Sequence, residues 1–517
     1  MLKEFRKKIV EIDNKYQKAI NMLIYPIEFI MSLMLAYVML RYSIINFYEG
    51  YHSLKHIILI LGFGIVILFI LIYNCKKNKN KFEKIVVGFL IPIGMMYLVF
   101  VLPSQVPDEQ AHLRRAYEVS EGVLIGEKNG ESSIPRDLQT KIKPNIESYK
   151  QFSQNIAEKT DYNDKVQVGN SAGTYPFILY IFSSIGFIIA RVFGLNILIG
   201  CYLAKLMNFI VFLISAYYTL KIIPFGKYAY TAVMFMPMFM HQATSTSADC
   251  IVNIFVMLFL AFLLKLYFKS EQITKKEEVI LIILSCLTAL VKYVYLPITA
   301  MSLILIWSKN ISKKEKILTI SIMLILSIII AGAYYKFTGT YETTFNKYFT
   351  ENNVNAGEQI KGIVNNPIGF LKTIKYTFIN MGEVYVYQMI GNSLGWLCIY
   401  TPNYWITMYL FVMLFSCFLE DNKFAFNKLQ KVWGILISFG IIVLILTGMY
   451  ITWTRVGNII IDGVQGRYFI PIAFLVLLCL CKKHNYIKIK NIQYKLPIIL
   501  ILLNLPELNS IYHFFLK

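Results

Sequence analysis

Residues 85–102 read IVVGFLIPIGMMYLVFVL, and residues 106–122 read VPDEQAHLRRAYEVSEG. The first stretch is long enough and apolar enough to cross a bilayer as a helix. The second places two adjacent acids, a histidine and two arginines at the end of that helix. Charged groups at a membrane span are costly unless they have a partner or a role, so this junction points to both the topology and the chemistry of the chain.

The rest of the chain has the same membrane-like composition. Of its 517 residues, 57% are hydrophobic and 16% are charged, whereas soluble domains carry roughly 25% charged residues. Apolar runs recur from end to end and predict an all-α polytopic membrane protein with about 11–13 transmembrane helices. The formal net charge is +21, but the lysines cluster in short loops between apolar runs. This is typical of cytoplasmic loops, so we expect no nucleic-acid partner.

The cysteines and the N-terminus predict no further chemistry. The eight cysteines show neither CxxC pairs nor Cys/His metal spacing, and most lie in or beside apolar runs, where we expect them to be buried. No cleavable signal peptide is visible. The N-terminal MLKEFRKKIVEIDNKYQK is basic and amphipathic, which predicts a segment on the inner membrane face.

Charge in the loops predicts which side each motif faces. Spans are visible near residues 22–40, 57–74 and 85–102, and the loop before the third span, CKKNKNKFEK at 75–84, is lysine-rich and therefore cytoplasmic. The third span then runs outward. Residues 103–173 are accordingly predicted to form a large external loop that begins with the acidic motif.

The C-terminal end can be read independently. Residues 420–431, EDNKFAFNKLQK, and 482–495, KKHNYIKIKNIQYK, are lysine-rich and predicted to be cytoplasmic. The chain goes out and comes back between them, which places TRVGNIIIDGVQGRY at 454–468 outside. The two polar motifs are therefore expected on the same face, although they are far apart in the sequence.

The middle of the chain leaves two alternatives. KSEQITKKEE at 269–278 and SKNISKKEK at 308–316 both look cytoplasmic, but little sequence lies between them. Either two short helices form a hairpin with Lys292 and Tyr293 at its tip, or one loop breaks the positive-inside rule. We favour the hairpin, which also places HQATSTSADC at 241–250 outside.

The predicted organisation has four parts, and we see no internal repeat of the kind found in transporters. They are an N-terminal amphipathic segment and accessory transmembrane hairpin (1–84), a transmembrane core that includes the external loop 103–173 (85–335), a second external segment (336–402), and a C-terminal transmembrane region with the external QGRY motif (403–517).

The acidic motif has the spacing of a helix start. Pro107 suits the first helical position, and Asp108 and Glu109 would then lie in the first turn, where the helix dipole favours negative charge. Asp108, His112 and Arg115 are spaced i, i+4 and i+7, which predicts one shared face. The alternative is a capped helix at the membrane surface with a solvated charged face.

Cationic residues elsewhere could complement these acids. Arg467 lies where the chain re-enters the membrane, next to Gln465 and Tyr468, and Lys292 lies in the apolar TALVKYVYLP. An arginine in such a position can simply contact lipid head groups, and an intramembrane lysine can snorkel. Together with the acids and Asp249 of STSADC, however, these cations would form a phosphate clamp.

Several motifs carry a family likeness. PDEQAHLRRAYEVSEG at 107–122 resembles the PDE-x-x-H-x-x-R-A-Y signature of the bacterial membrane family DUF2142, and GVQGRYFIP at 463–471 resembles its second signature. GNSLGW at 391–396 resembles the family's aromatic external motif. LVKYVYLP at 290–297 and the S-x-S-x-D pattern at Ser245, Ser247 and Asp249 also fall in the order expected for the family. The likeness spans roughly residues 85 to 481.

The resemblance implies an activity. DUF2142 is similar to GT-C glycosyltransferases, multi-spanning enzymes that use polyprenyl-phosphate sugars and carry essential acids in their first external loop. It implies a polyprenyl-phosphate-linked sugar donor, a glycan or teichoic-acid-like acceptor, and a bacterial cytoplasmic membrane location with the active site facing outside. Asp108 or Glu109 would be the general base and Arg467 a phosphate ligand. The other candidate substrate-binding residues in the sequence are His112, Arg115, Asp249, Lys292, Trp396, Gln465 and Tyr468.

The residues leave the metal question and two other functions open. Paired carboxylates plus His112 would suit Mg²⁺ or Mn²⁺ rather than zinc, but Arg467 and Lys292 already supply positive charge and favour a metal-independent enzyme. A polymerase or ligase of lipid-linked glycans would also need external arginines. A transporter or flippase would show broken helices with charges at the membrane midplane.

Overall fold

The computed structural model describes residues 2–126, 130–142, 148–156, 158–338, 346–484 and 487–516, with side chains from residue 23 on except at 346–348. The α-helices are, in chain order, α1 (Leu2–Glu49), α2 (Leu54–Lys77), α3 (Phe82–Phe100), α4 (Glu109–Ser120), α5 (Arg136–Thr140), α6 (Tyr149–Asn155), α7 (Ile181–Val192), α8 (Ile197–Ile222), α9 (Lys227–Met234), α10 (Pro237–Ala243), α11 (Ala248–Tyr267), α12 (Lys275–Val291), α13 (Lys313–Thr338), α14 (Asn346–Glu351), α15 (Ala356–Asn365), α16 (Pro367–Ile390), α17 (Asn403–Ser416), α18 (Lys428–Thr452), α19 (Ile470–Leu480) and α20 (Ile492–Leu516). Short 3₁₀ helices occupy Phe177–Leu179 and Gly466–Phe469, and a longer one occupies Tyr293–Trp307.

Within the described residues, eight helices are long and apolar enough to cross a membrane, namely α1 from Leu23 on, α2, α3, α8, α11, α13, α18 and α20. Shorter segments also connect the two ends of the bundle: α9 with α10, α12, the 3₁₀ helix Tyr293–Trp307, α17 and α19. The described residues thus contain eight candidate membrane-spanning helices and, beside them, these shorter segments. The all-α polytopic fold is therefore confirmed.

The two ends of this bundle differ in character. At one end, which we call the lysine end, lysine-rich loops contact one another: Ile273 N donates to Asn310 O at 2.9 Å, and Lys431 Nζ donates to Cys481 O at 3.0 Å. At the other end, the motif end, Arg467 contacts Asp108. The loops predicted to be cytoplasmic thus share one end, and the two polar motifs share the other.

The segment between the two central lysine-rich loops is a hairpin, as expected. α12 begins at a capping box formed by Thr274 and Glu277, and the chain reverses at Lys292. It returns as a 3₁₀ helix of 15 residues. A 3₁₀ helix rises about 2.0 Å per residue, so this short segment reaches about 30 Å, the thickness of the hydrocarbon core.

A small cap of polar chain covers part of the motif end. It contains α4, α5, α6 and the antiparallel strands β1 (Glu131–Pro135) and β2 (Lys165–Gly169). The sequence placed the end of this loop at residue 173, but the cap also includes α7, which packs along α4. Arg191 Nη2 of α7 donates to Ser120 O at 2.8 Å, and Tyr162 OH donates to Leu195 O at 2.8 Å. Tyr180, just before α7, shares a hydrogen bond with His112 of α4, so both ends of α7 lie at the motif end.

The segment after α13 also lies at the motif end. Gln359 Nε2 of α15 donates to Thr454 O at 3.1 Å, and the strands β3 (Ser393–Leu394) and β4 (Ile399–Tyr400) form a short hairpin. Helix α16 packs closely on Gly466, where an added Cβ would lie 2.3 Å from Met389 N. Glycine at this position therefore allows α16 to approach the second polar motif.

The fraction of buried residues distinguishes the helices of the core from the accessory hairpin α1–α2. In the apolar windows of α3 and α11, 72% and 78% of residues are buried, whereas the value for α2 is 6%. Helices α1 and α2 therefore pack on the outside of the bundle, and α3 and α11 form its centre. These two central helices position two acids of the motif end, since α3 leads into the turn with Asp108 and Asp249 lies in the first turn of α11.

Candidate active site at the motif end

The turn between α3 and α4 determines where the first acid points. Ser104 and Asp108 both have left-handed backbone conformations, with φ of 68° and 64°. Aspartate adopts this conformation more readily than most residues. The helix therefore begins at Glu109, not at Pro107 as predicted, and the side chain of Asp108 is 51% exposed.

Arg467 connects the two polar motifs. Its Nη2 donates to Asp108 Oδ2, its Nη1 donates to Pro107 O at 3.0 Å, and its Nε lies 3.4 Å from Asp249 Oδ2. The side chain is 3% exposed. A planar guanidinium can meet three partners in fixed directions, whereas an ammonium cannot. The sequence expectation that the two motifs share a face is thus realised by direct contact.

Asp249 extends this contact to the tip of the hairpin. Lys292 Nζ donates to Asp249 Oδ1 at 3.2 Å and lies 4.4 Å from the ring centroid of Tyr468. Asp249 is in the first turn of α11, where its backbone N–H donates to Ser247 Oγ at 3.3 Å. Lysine 292 is therefore ion-paired and does not snorkel. We call Lys292, Asp249, Arg467 and Asp108 the charge chain, because cations and anions alternate along it.

Glu109 lies outside the charge chain. It is fully buried, its Oε1 accepts from Thr246 N at 3.1 Å, and its Oε2 accepts from Val106 N at 3.3 Å. Burial raises the pKa of this carboxyl even though backbone N–H groups face it. Glu109 thus ties the turn before α4 to the turn between α10 and α11.

His112 lies on α4 beside the charge chain. Its Nδ1 shares a hydrogen bond of 2.7 Å with Tyr180 OH, and its ring meets that of Tyr175 edge-on. Burial lowers the pKa of His112 to about 4, so the ring is neutral at neutral pH. Tyr175 and Tyr180 were not among the predicted site residues. Two tyrosines where a polar loop re-enters apolar sequence are the available signal for them.

Arg115 does not face Asp108, so the predicted stripe of Asp108, His112 and Arg115 is wrong. Arg115 is fully buried, and its Nη1 donates to Glu118 Oε2 at 3.0 Å. Its Nη2 donates to Leu124 O at 2.7 Å. The prediction failed because α4 starts one residue after Asp108 and the left-handed turn redirects that side chain. Arg115 instead holds the chain that follows α4.

The remaining predicted residues border the same turn. Trp396, at the β3–β4 hairpin, is 38% exposed and donates its Nε1–H to Ser104 O at 2.9 Å. Gln465 precedes the 3₁₀ helix of Arg467, and its Oε1 is buried without a hydrogen-bond partner. The structure therefore brings both residues to the motif end. Trp396 lies at the turn that carries Asp108, and Gln465 lies beside Arg467.

Comparison with models of known protein families assigns the chain to a family. The model of DUF2142, a family of predicted membrane proteins, matches residues 90–476. The chain belongs to the DUF2142 family. The match includes the whole charge chain, whereas α1 and α2 lie outside it. No curated protein and no solved structure matches the chain. It is thus a multi-pass membrane protein of DUF2142.

This DUF2142 site has a cavity of about 430 Å³ beside Lys292 and Tyr468. The tip of the α12 hairpin, the C-terminal halves of α13 and α18, and the chain around Tyr175 form its walls. In the apolar windows of α13 and α18, 28% and 33% of residues are buried, so these helices lie at the outside of the bundle. Tyr295 OH donates to Tyr468 O at 2.8 Å and fixes the hairpin tip against the second motif.

The site residues do not fit a divalent metal ion. Both carboxylates of the charge chain already contact Arg467, and Glu109 faces backbone N–H groups. Among the described residues, no group of three or more His, Cys, Asp or Glu side chains is arranged to hold a metal. We therefore place neither Mg²⁺ nor Mn²⁺ at this site.

Proposed function

We propose that this DUF2142 protein is a GT-C type glycosyltransferase, which transfers a sugar from a polyprenyl-phosphate donor to a cell-envelope glycan. The observation that supports this most is the charge chain next to a cavity whose walls are lipid-facing helices. Lys292 and Arg467 would face the donor phosphate, and the half-exposed Asp108 would face the acceptor.

The reaction fits these charges. A hydroxyl of the acceptor attacks C1 of the donor sugar, Asp108 takes the hydroxyl proton, and the bond between C1 and the phosphate oxygen breaks. The leaving polyprenyl phosphate then carries one more negative charge than the donor phosphodiester did. Lys292 and Arg467 stabilise that developing charge, since buried cations act most strongly where water is excluded.

The donor lipid would reach this site from the membrane. The cavity lies between α13 and α18, and Tyr334 and Tyr335 of α13 line it together with Tyr293 of the hairpin tip. Amphipathic tyrosines suit the boundary between an isoprenoid chain and a phosphate. The prenyl chain would lie against the outer surfaces of α13 and α18, with its phosphate near Lys292.

We place the motif end on the external face of the bacterial cytoplasmic membrane, because the lysine end carries the positive loops. The test is labelling of single cysteines with an impermeant maleimide in intact cells. Glu131→Cys and Arg455→Cys at the motif end should react, and Lys79→Cys in the α2–α3 loop should react only after lysis. Reaction of Lys79→Cys in intact cells, or of only one motif-end cysteine, contradicts the orientation.

The activity is tested by mass spectrometry of envelope polysaccharide from a deletion strain. Loss of one side-chain sugar, restored by the wild-type gene but not by Asp108→Asn, supports sugar transfer. Shortened chains would instead indicate a polymerase or ligase of lipid-linked glycans. Lipid-linked precursor retained on the inner leaflet would indicate a flippase and remove the proposal.

A further inference from the structure

Arg467 is already occupied in this structure. Its Nη2 donates a hydrogen bond to Asp108 and its Nη1 donates one to the carbonyl of Pro107, while Nε lies 3.4 Å from Asp249 Oδ2 as an ion pair without a hydrogen bond. Its side chain is 3% exposed, so a donor phosphate cannot approach it in bidentate fashion unless one partner moves. The resting arrangement therefore conflicts with a direct role of Arg467 at the phosphate.

Asp108 is the partner that can move. Its side chain is 51% exposed, compared with 14% for Asp249, and it extends from a turn outside any helix. Asp249 is fixed by the start of α11 and also holds Lys292. If Asp108 leaves, Asp249 still keeps Arg467 in position.

We infer that Arg467 is a phosphate subsite that Asp108 occupies as an internal competitor until the donor phosphate displaces it. This rests on the proposed function and identifies the ligand of the subsite as the phosphate of a polyprenyl lipid. One anion replaces another on the guanidinium, so the buried charge stays balanced. The displaced Asp108 carboxylate loses its cation and becomes free to accept a proton, which couples activation of the base to donor binding.

Binding of polyprenyl monophosphate to the purified full-length protein tests this inference without any turnover. Asp108→Asn should bind the lipid more tightly than the wild type by about tenfold, the equivalent of about 1.4 kcal/mol. Asparagine keeps the shape of aspartate and tolerates the left-handed backbone, so the variant should fold. Asp164→Asn is the matched control, because this exposed carboxylate pairs with Arg136 on the cap and should leave the affinity unchanged.

A second background separates competition from simple charge repulsion. When Arg467→Gln is present, the gain from Asp108→Asn should disappear, because there is no guanidinium left to compete for. Arg467→Lys, which keeps the buried positive charge, should show a smaller gain than the Arg467 protein. A gain of equal size in all backgrounds means that Asp108 only repels the phosphate, and it overturns the inference.

Two further outcomes have distinct meanings. If the wild type binds the lipid and Asp108→Asn binds it equally or less tightly, the inference is wrong while the proposed function stands. If neither protein binds polyprenyl monophosphate above the level of a neutral prenol, the phosphate subsite and the proposed donor are both wrong.

Discussion

The turn before α4 has an exposed side and a buried side. On the exposed side, the carboxylate of Asp108 is half-exposed and bound to Arg467. On the buried side, the carboxylate of Glu109 accepts hydrogen bonds from Val106 N and Thr246 N. The two residues are adjacent, and their separation follows from the left-handed conformation of Asp108. Adjacent acids in one motif can therefore have different tasks. We assign chemistry to the exposed side and structural support to the buried side.

The largest effect is expected at Asp108. Asp108→Asn should lower the rate of sugar transfer by about 10²–10⁴-fold, because a general base contributes that much. Its unfolding temperature should match that of the wild type, since the side chain is half-exposed. The two measurements are transfer from a polyprenyl-phosphate sugar and thermal unfolding in detergent. Near-normal turnover of Asp108→Asn would remove the chemical role of the exposed side.

Asp249 should show the next largest effect, this time on stability. Asp249→Asn leaves Lys292 and Arg467 without the carboxylate that they share, and breaking a buried ion pair costs about 3–5 kcal/mol. Chemical unfolding should report this loss. Lys292→Met in the Asp249→Asn protein should restore part of it, because one uncompensated cation is removed. No recovery in the double variant would mean that Asp249 does not neutralise Lys292.

The sequence predicted much of this site through hydropathy and the distribution of lysines. These patterns correctly placed the acidic motif and Arg467 at one end of the bundle, and the hairpin tip at Lys292. Such predictions depend on the membrane, which constrains where apolar runs and positive loops can lie. They need no knowledge of side-chain packing.

The sequence could not predict that Asp108 is exposed while the adjacent Glu109 is buried. The helix start depends on two left-handed residues, Ser104 and Asp108, and helical spacing alone favoured Pro107 as the first residue. The burial of Glu109 depends on Thr246, which a distant helix turn brings into contact. Arg115 was predicted on the same face as Asp108 because the left-handed turn at Asp108 was not foreseen. Long-range contacts of this kind leave no local pattern in a single sequence.

The pH dependence of stability tests whether His112 belongs to the buried side of the motif, with Glu109, or to the exposed side, with Asp108. Its pKa of about 4 lies below the ordinary value of 6.5, so the unfolded chain binds more protons between these pH values. Acidification through this range should therefore destabilise the protein, by a total on the order of 3 kcal/mol. Asn at position 112 can still bond Tyr180 and does not titrate. The unfolding free energy of His112→Asn should thus fall less between pH 7 and pH 4.5 than that of the wild type.

Equal pH dependence of the two proteins would mean that His112 does not stay neutral in the folded state. In that case it would lie on the solvated side of the motif together with Asp108, and the boundary would have to be drawn between His112 and Glu109.

The smallest effect is expected at Glu109, and it should concern stability rather than chemistry. In Glu109→Gln, the amide NH₂ replaces one carboxylate oxygen and meets either Val106 N–H or Thr246 N–H, both of which need an acceptor. A buried donor left without an acceptor costs about 1–3 kcal/mol. Burial of a charge acts in the opposite direction, as the raised pKa of Glu109 indicates, and the neutral amide relieves that cost.

We expect the hydrogen bonds to dominate, because both oxygens accept from the backbone. The variant should therefore unfold more easily while the folded fraction keeps its turnover number. A more stable variant would show that the buried charge dominates, and a stable but inactive one would transfer the role of the base from Asp108 to Glu109.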